Sequence, residues 1–437
     1  CVFSHDDEDL GHLRDKVVVF ENTETLTKLA NKVSNFVPVV MSRDVEKALA
    51  PYRNSLPSFL VYARNATSKE PDVLLDTLNY EDFDEALKDL GLERDRIDQL
   101  GRESGRSLTV LRRRLSKLDA IQKPDWSTDK EVARTLVPAL FAGVWRTDNQ
   151  ADCAMIECLA ADQEIETVNR HFNELLPLDS SPVWSAGSFN GVVSKIDVLF
   201  AIHNSIIAAD LERFFDVAEI ILSEPDPSLE LPEDERWAAG IHGKTRELSG
   251  AIREGVAETL VLLAVYGNSL FENRLNFDCE SRANRLVEGL LTPLSNTTLE
   301  THIDNLALYA EAAPDRFLSI IEKDLESDDS YAMSLMRPSS SSMFSSSPRT
   351  GLLWALEGLA WSPRRFLRTV LVLGKLAEKP LDDNLLNKPS NSLAAMFRNW
   401  MPQTAANLDQ RIAAFEKLVE KHPKVAWPIG YLSIYGE

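Results

Sequence analysis

Apolar positions along this chain follow two periods, and the period changes with place. In the first 70 residues short apolar runs alternate with helix-like stretches. Val17–Phe20 reads as a buried strand, and Phe36–Met41 and Ser58–Tyr62 read as a second and a third apolar strand run. Residues 23–34, with Leu26, Leu29, Ala30 and Val33 at spacings of three and four, read as a helix, as do 43–50. Strand–helix–strand–helix–strand predicts parallel pairing in an α/β layer. Three strands make an incomplete sheet, so this part is expected to be the end of a larger α/β domain.

From residue 72 helical spacing takes over. Asn79 caps a helix bearing Phe83, Leu87 and Leu90 that Gly91 stops, and Ile97 and Leu100 mark a second. A third helix, led in by Ser104-Gly105, carries Leu108, Leu111, Leu115 and Leu118 on one face. Lys123-Pro124-Asp125-Trp126 reads as a linker. Helices are then expected at 129–142, 149–160 and 164–176. A β-hairpin follows, from Ser181-Pro182-Val183-Trp184 to Phe189–Val193 with Gly187 near its turn. Three helices and a hairpin are the order of a winged helix. The rest reads as helix after helix, at 208–222, 247–266, 282–291, 303–312, 314–326, 351–360, 363–378 and 408–421. Breakers recur between them, among them Pro225, Pro227, Pro314, Pro363, Pro380, Pro389, Pro402 and Pro423. Antiparallel helical hairpins in a solenoid or irregular bundle fit that pattern. Residues 338–348, PSSSSMFSSSP, read as a mobile low-complexity loop.

Charge narrows the partners. The 437 residues hold 47 basic and 68 acidic side chains, a net charge of −21, which disfavours nucleic acid and anionic membranes. The third helix before the hairpin offers only Arg170 and His171 against Glu164, Glu166 and Glu174, so a packing or regulatory winged helix is expected, not a DNA reader. No apolar run reaches membrane-helix length and no signal peptide is legible. Cys1, Cys153, Cys158 and Cys279 complete no zinc pattern and read as reduced buried thiols of a cytoplasmic protein. A start at Cys1 reads as a fragment of a longer polypeptide.

Candidate chemistry is sparse. Arg106, Arg112, Arg113, Arg114 and Lys117 concentrate positive charge at the start and middle of one helix of an acidic chain, as an anion site would. A cation at a helix start opposes the dipole, so Arg106 invites an anionic partner; the triple arginine reads equally as a solvated face. Gly243-Lys244-Thr245 lacks the earlier glycine of a phosphate loop, Ala238 standing there, and follows an acidic helix start instead of a strand. A corner in which Lys244 and Arg246 offset preceding acids is expected. The seven histidines are isolated from one another and from metal-type carboxylate spacings. Trp354, Trp361, Trp400 and Trp427 are expected to anchor helices in the core, with a ligand cage as the alternative.

The succession of α/β segment, small helical segment with a Ser-Gly-x-x-Leu step, winged-helix order and helical array resembles the rear of a STAND-type NTPase, a signal-transducing P-loop ATPase related to AAA+ enzymes. Gly105-Arg106-Ser107-Leu108 matches the place of that family's Gly-x-Pro-Leu-type lid motif, with Ser107 where proline is usual. Three later phrases, DERWAAGIHGKTRELSGAIREG, TGLLWALEGLAWSP and NKPSNSLAAMFRNWMPQT, also resemble the C-terminal parts of large bacterial proteins of this kind. The resemblance covers most of the chain. It implies a mostly α fold in four parts: 1–71, the end of an α/β NTPase-like domain; 72–123, a helical lid; 124–200, a winged-helix-like domain; and 201–437, an α-helical repeat-like sensor or scaffold domain. It further implies ATP or ADP in the intact protein, held by Gly105, Arg106, Ser107 and Leu108, with ATPase activity only where an upstream P-loop domain is present. A protein trigger on the helical array, homo-oligomerisation on activation and a role in antiphage defence belong to the same expectation. The alternative reading is a free-standing helical-repeat scaffold without nucleotide.

Overall fold

A computed structural model describes residues 23–32, 36–40, 43–52, 56–60, 80–104, 111, 114–115, 124–178, 181–338 and 347–435. The fold is mostly α-helical with only small sheets. Two compact units are present, one formed by 1–136 with 166–205 and the other by 137–165 with 206–437.

The first unit holds the short α/β part. Strand Val39–Val40 pairs in parallel with Phe59–Leu60, with helices Thr23–Ala30 and Arg43–Leu49 beside them in the sequence. Leu26, Val40 and Leu49 form its core, with Ala30, Phe36, Val45 and Tyr52 against them. The strand expected at Val17–Phe20 lies outside the described residues. Helices Tyr80–Asp89 and Arg94–Ser104 pack through Phe83, Leu87, Ile97 and Leu100, joined by Leu111. Gly91 takes a φ of 77°, the left-handed conformation a helix stop needs. Leu90, expected on the buried face, is exposed, because the helix has ended before it. Trp126, expected in a linker, is buried in a short helix Asp125–Thr128. The hairpin Val183–Ala186 with Phe189–Val192 turns on Gly187-Ser188, and Gly187 has the φ of 60° that the first position of a type II′ turn requires. Trp184 lies across Gly191 of the facing strand, so close that a Cβ there would stand 2.7 Å from its ring.

The second unit is helical. Its centre is Gly250–Gly267, apolar nearly all round and correspondingly buried. Ser249 caps it by accepting from the Ile252 N–H, and buried Asp152 accepts in turn from the Ser249 N–H at 2.9 Å. Gly255 lets the backbone of residue 142 approach: a Cβ would sit 2.1 Å from the Ala142 oxygen. This helix packs on Ala208–Ser223, Cys279–Leu291 and Leu306–Ala312. The succession continues through Thr350–Ala360, Phe366–Leu376, Leu408–Lys421 and Pro423–Tyr435, each against the one before. Pro314, Pro389 and Pro423 open helices, where a missing N–H costs nothing. Residues 339–346 of the serine-rich loop lie outside the described residues. Among the described residues no helix is long and apolar enough to cross a membrane.

Candidate functional site

Gly105, Arg106, Ser107 and Leu108, the expected nucleotide lid, lie outside the described residues. Their surroundings are partly visible. Leu111 is buried and Leu115 packs beside it, so these two of the four leucines turn inward. Arg114 of the triple arginine sits 5.7 Å from the centre of the Phe200 ring, a cation–π contact and not a merely solvated charge. Arg112 and Arg113 are outside the described residues.

Gly243-Lys244-Thr245 belongs to a long irregular segment between Ser223 and Gly250. A 3-10 turn, Arg236–Ala238, precedes it in place of a strand, and the next helix opens only at Gly250. Lys244 pairs with Glu230, and Arg246 pairs with Asp226 at 3.4 Å while donating to the Thr301 carbonyl at 2.6 Å. Lys244 and Arg246 thus offset earlier acids, but these are Glu230 and Asp226 and not the 233–235 run, and the corner is irregular chain in place of a helix start. Trp237 and Ile241 stand exposed on it.

Beneath that segment lies a buried polar cluster. Arg253 is 4% exposed, donates to the Ile221 carbonyl at 2.8 Å and reaches Glu224 at 3.5 Å. Its Nη2 has no partner, nor have the Nε atoms of Arg246 and Arg337. Glu300 holds Arg236 and Arg337 together, at 2.7 and 2.9 Å. Burial, then Arg253 and Arg246, drive the His302 pKa down to about 4, so its ring is neutral at pH 7. Burial pushes the Tyr309 hydroxyl up to about 12, and it lies 3.4 Å from His302 Nδ1. With its pKa lowered this far the His302 imidazole is a weak base, and the Tyr309 hydroxyl keeps its proton. The cluster fastens the 224–249 segment to the helices beneath.

Burial pushes the Cys279 thiol up to about 12, while Cys153 and Cys158 are only half-buried. Among the described residues no group of three His, Cys, Asp or Glu is placed to hold a metal. A shallow depression follows Glu166, Asn169, Arg170, Asn173 and Glu174 along one helix. A single acidic helix face neither encloses a ligand nor attracts phosphate.

The tryptophans overturn their expectation. Trp354, Trp361, Trp400 and Trp427 are 58%, 51%, 77% and 79% exposed, so they are not core anchors. The helix Thr350–Ala360 buries Leu352, Leu353, Ala355, Leu356, Leu359 and Ala360 and turns the opposite stripe outward. That stripe is Trp354, Glu357, Gly358 and Trp361, at steps of three and four. With Ser392, Ala395 and Met396 of the helix Pro389–Met396, and with Gln403, it lines a cleft of about 380 Å³.

The cleft is held from several sides. Ser392 Oγ donates to Glu357 Oε1 at 2.6 Å across it. The Gln403 N–H donates to the Ala395 carbonyl at 3.0 Å, and Thr404 Oγ1 to the Ala360 carbonyl at 2.6 Å, which pins the 399–406 loop to both walls. Arg349, fully buried one residue before the helix, is locked by Asp383 at 2.7 Å and by the carbonyls of Arg337 and Asn387. The walls come from the phrases TGLLWALEGLAWSP and NKPSNSLAAMFRNWMPQT, which the fold brings together. Glu357, Gly358, Ser392 and Gln403 were not singled out from the sequence. The repeat of tryptophan at seven residues around a Glu-Gly pair is the signal that could have found them.

No family model, curated protein or solved structure matches the chain.

Proposed function

We propose that this chain is the regulatory and sensing region of a cytoplasmic signal-transducing NTPase, which binds a protein trigger through its C-terminal helices and performs no catalysis by itself. One observation carries the reading: four large aromatic side chains stand exposed, Trp354 and Trp427 on helices, Trp361 at a helix end and Trp400 on the 399–406 loop. Exposed aromatic groups of this kind mark protein-binding sites. The nucleotide part rests on the lid resemblance at Gly105–Leu108 and on the cost of a cation, Arg106, at the helix start that the sequence predicts there. Trigger binding would shift a closed, ADP-holding state toward an oligomerising one. Antiphage defence is the setting that the resemblance implies.

The test uses the full-length protein. Acid extracts of the purified protein should contain ADP near one equivalent, and Arg106→Ala should release most of it. In cells challenged with phage, Trp354→Ala/Trp361→Ala should lose protection while its ADP content stays unchanged. A purified protein without adenine nucleotide would instead support the free-standing scaffold. Full protection by the double tryptophan variant would overturn the sensing role of the helices.

A further inference from the structure

The geometry points to the Trp354/Trp361 cleft as a receptor for one positively charged side chain, arginine or lysine, carried by an extended segment of a partner protein. This deepens the partner-binding reading and is independent of any nucleotide. Trp354 and Trp361 are seven residues apart, two helical turns, which sets their attachment points about 10 Å apart along the helix. Gly358 lies on the same stripe between them. A Cβ built there meets nothing within 4 Å, so the space between the two indoles is open because that residue has no side chain.

The lining then selects by charge. Among the described residues Glu357 is the one charged group in the cleft. Its carboxylate is held by the buried Ser392 hydroxyl, which fixes it in the wall instead of leaving it to swing into water. An indole face is the strongest aromatic partner for a cation, each contact adding about 2- to 30-fold in affinity. Two indoles beside a positioned carboxylate therefore favour a cation and repel an anion. The net charge of −21 attracts basic segments from a distance. Ala395 and Met396 give the stem of such a side chain an apolar surface to lie on. The pinned 399–406 loop closes one end through Gln403. Met401, in that loop, is held at a φ of 49°, a left-handed conformation unusual for methionine, and stays exposed.

A proline-rich segment is the competing occupant, since tryptophan grooves also take that shape. Glu357 has no role in that case, and this separates the two. The protein is labelled with 5-fluorotryptophan, and the Trp354 and Trp361 fluorine signals are assigned through the two single Trp→Phe variants. It is titrated with three capped pentapeptides of glycine carrying at the centre one arginine, one glutamate or two prolines. The arginine peptide should shift the Trp354 and Trp361 signals saturably, and the glutamate peptide should shift neither. Glu357→Gln, which keeps an acceptor for Ser392, should weaken arginine binding about 5- to 10-fold. Gly358→Leu should abolish it with the thermal midpoint retained, because leucine favours helix more than glycine does. Equal response to arginine and glutamate, no response up to 10 mM, a preference for the proline peptide, or indifference to Glu357→Gln would each overturn the proposal. These signals are read on the isolated protein, so they stand or fall separately from ADP retention and phage protection.

Discussion

Gly351→Ala should destabilise the protein by about 2 kcal/mol, whereas Gly358→Ala on the same helix should be neutral or stabilising. A Cβ at Gly351 would lie 2.0 Å from the Ile303 carbonyl oxygen and 2.9 Å from its carbon. Both are backbone atoms, so no side-chain rotation relieves the clash. To reach 3.4 Å, the bottom of ordinary contact, the helix must retreat by about 1.4 Å (3.4 less 2.0) from the turn it packs on. Overpacking of this kind costs about 1–3 kcal/mol, and more where backbone must move. Alanine returns up to about 1 kcal/mol of helix propensity at either position. At Gly351 the clash exceeds that gain. At Gly358 nothing opposes it, since the added carbon enters open space. Urea unfolding followed by circular dichroism reads both variants against the parent. Gly351→Ala should lower the midpoint at unchanged slope, and Gly358→Ala should hold or raise it. A Gly351→Ala protein as stable as the parent would refute the packing of Thr350–Ala360 against Ile303, and with it the side from which the cleft is supported.

Other consequences follow from the buried charges. The folded pKa of His302 is depressed to about 4 from an ordinary 6.5, so the unfolded chain binds the extra proton between those values. Stability tied to this ring is complete above pH 6.5 and falls as the pH drops toward 4, by about 3 kcal/mol in all. His302→Gln, which does not titrate, should lose correspondingly less over that window when unfolding free energy is measured against pH. Arg349→Met should cost about 3–5 kcal/mol by removing the nearest charge partner of Asp383, whose other cation, Lys388, stands 3.9 Å away, and Arg349→Met/Asp383→Leu should recover much of it; a double variant as weak as the single one would place the loss elsewhere.

The helices from Ala208 onward were legible because their apolar residues recur at three and four and their ends carry recognisable residues. Asn407 and Gln410 form a capping box, and Pro314 sits at a first position; Pro389, read as a breaker, instead opens the helix Pro389–Met396. The parallel pairing of Val39–Val40 with Phe59–Leu60 was legible from short apolar runs alternating with helices. Burial of Arg253 and Arg349 was not. A charged residue is read as exposed by default, and the groups that hold these two come from 12 to 38 positions away. The tryptophan cleft failed for a different reason. TGLLWALEGLAW is apolar almost all round, and such a helix reads as buried on every side. Gly351 and Gly358 are identical in the sequence, yet one is pressed against a carbonyl and the other faces open space. Only the neighbouring helices distinguish them.

The size of the exposed aromatic surface bears on what the cleft can do. A tryptophan offers about 250 Å² at most, so Trp354 at 58% and Trp361 at 51% together leave roughly 200–270 Å² uncovered. At about 25 cal/mol per Å² that is roughly 5–7 kcal/mol not used in folding, comparable with the whole net stability of a small domain. Covering it by one side chain recovers part of this, and the entropy of association takes several kcal/mol back. A single arginine or lysine in the cleft therefore binds weakly, in the millimolar range, and cannot by itself hold a partner. The loop that closes the cleft also carries Trp400, 77% exposed, and Met401, which extend the apolar surface beyond Gln403. Affinity would come from that rim and selectivity from Glu357 between the two indoles. A partner that fits both is a basic side chain flanked by apolar residues on an extended strand, and removing Glu357 should change which segments bind far more than how tightly the best apolar ones do.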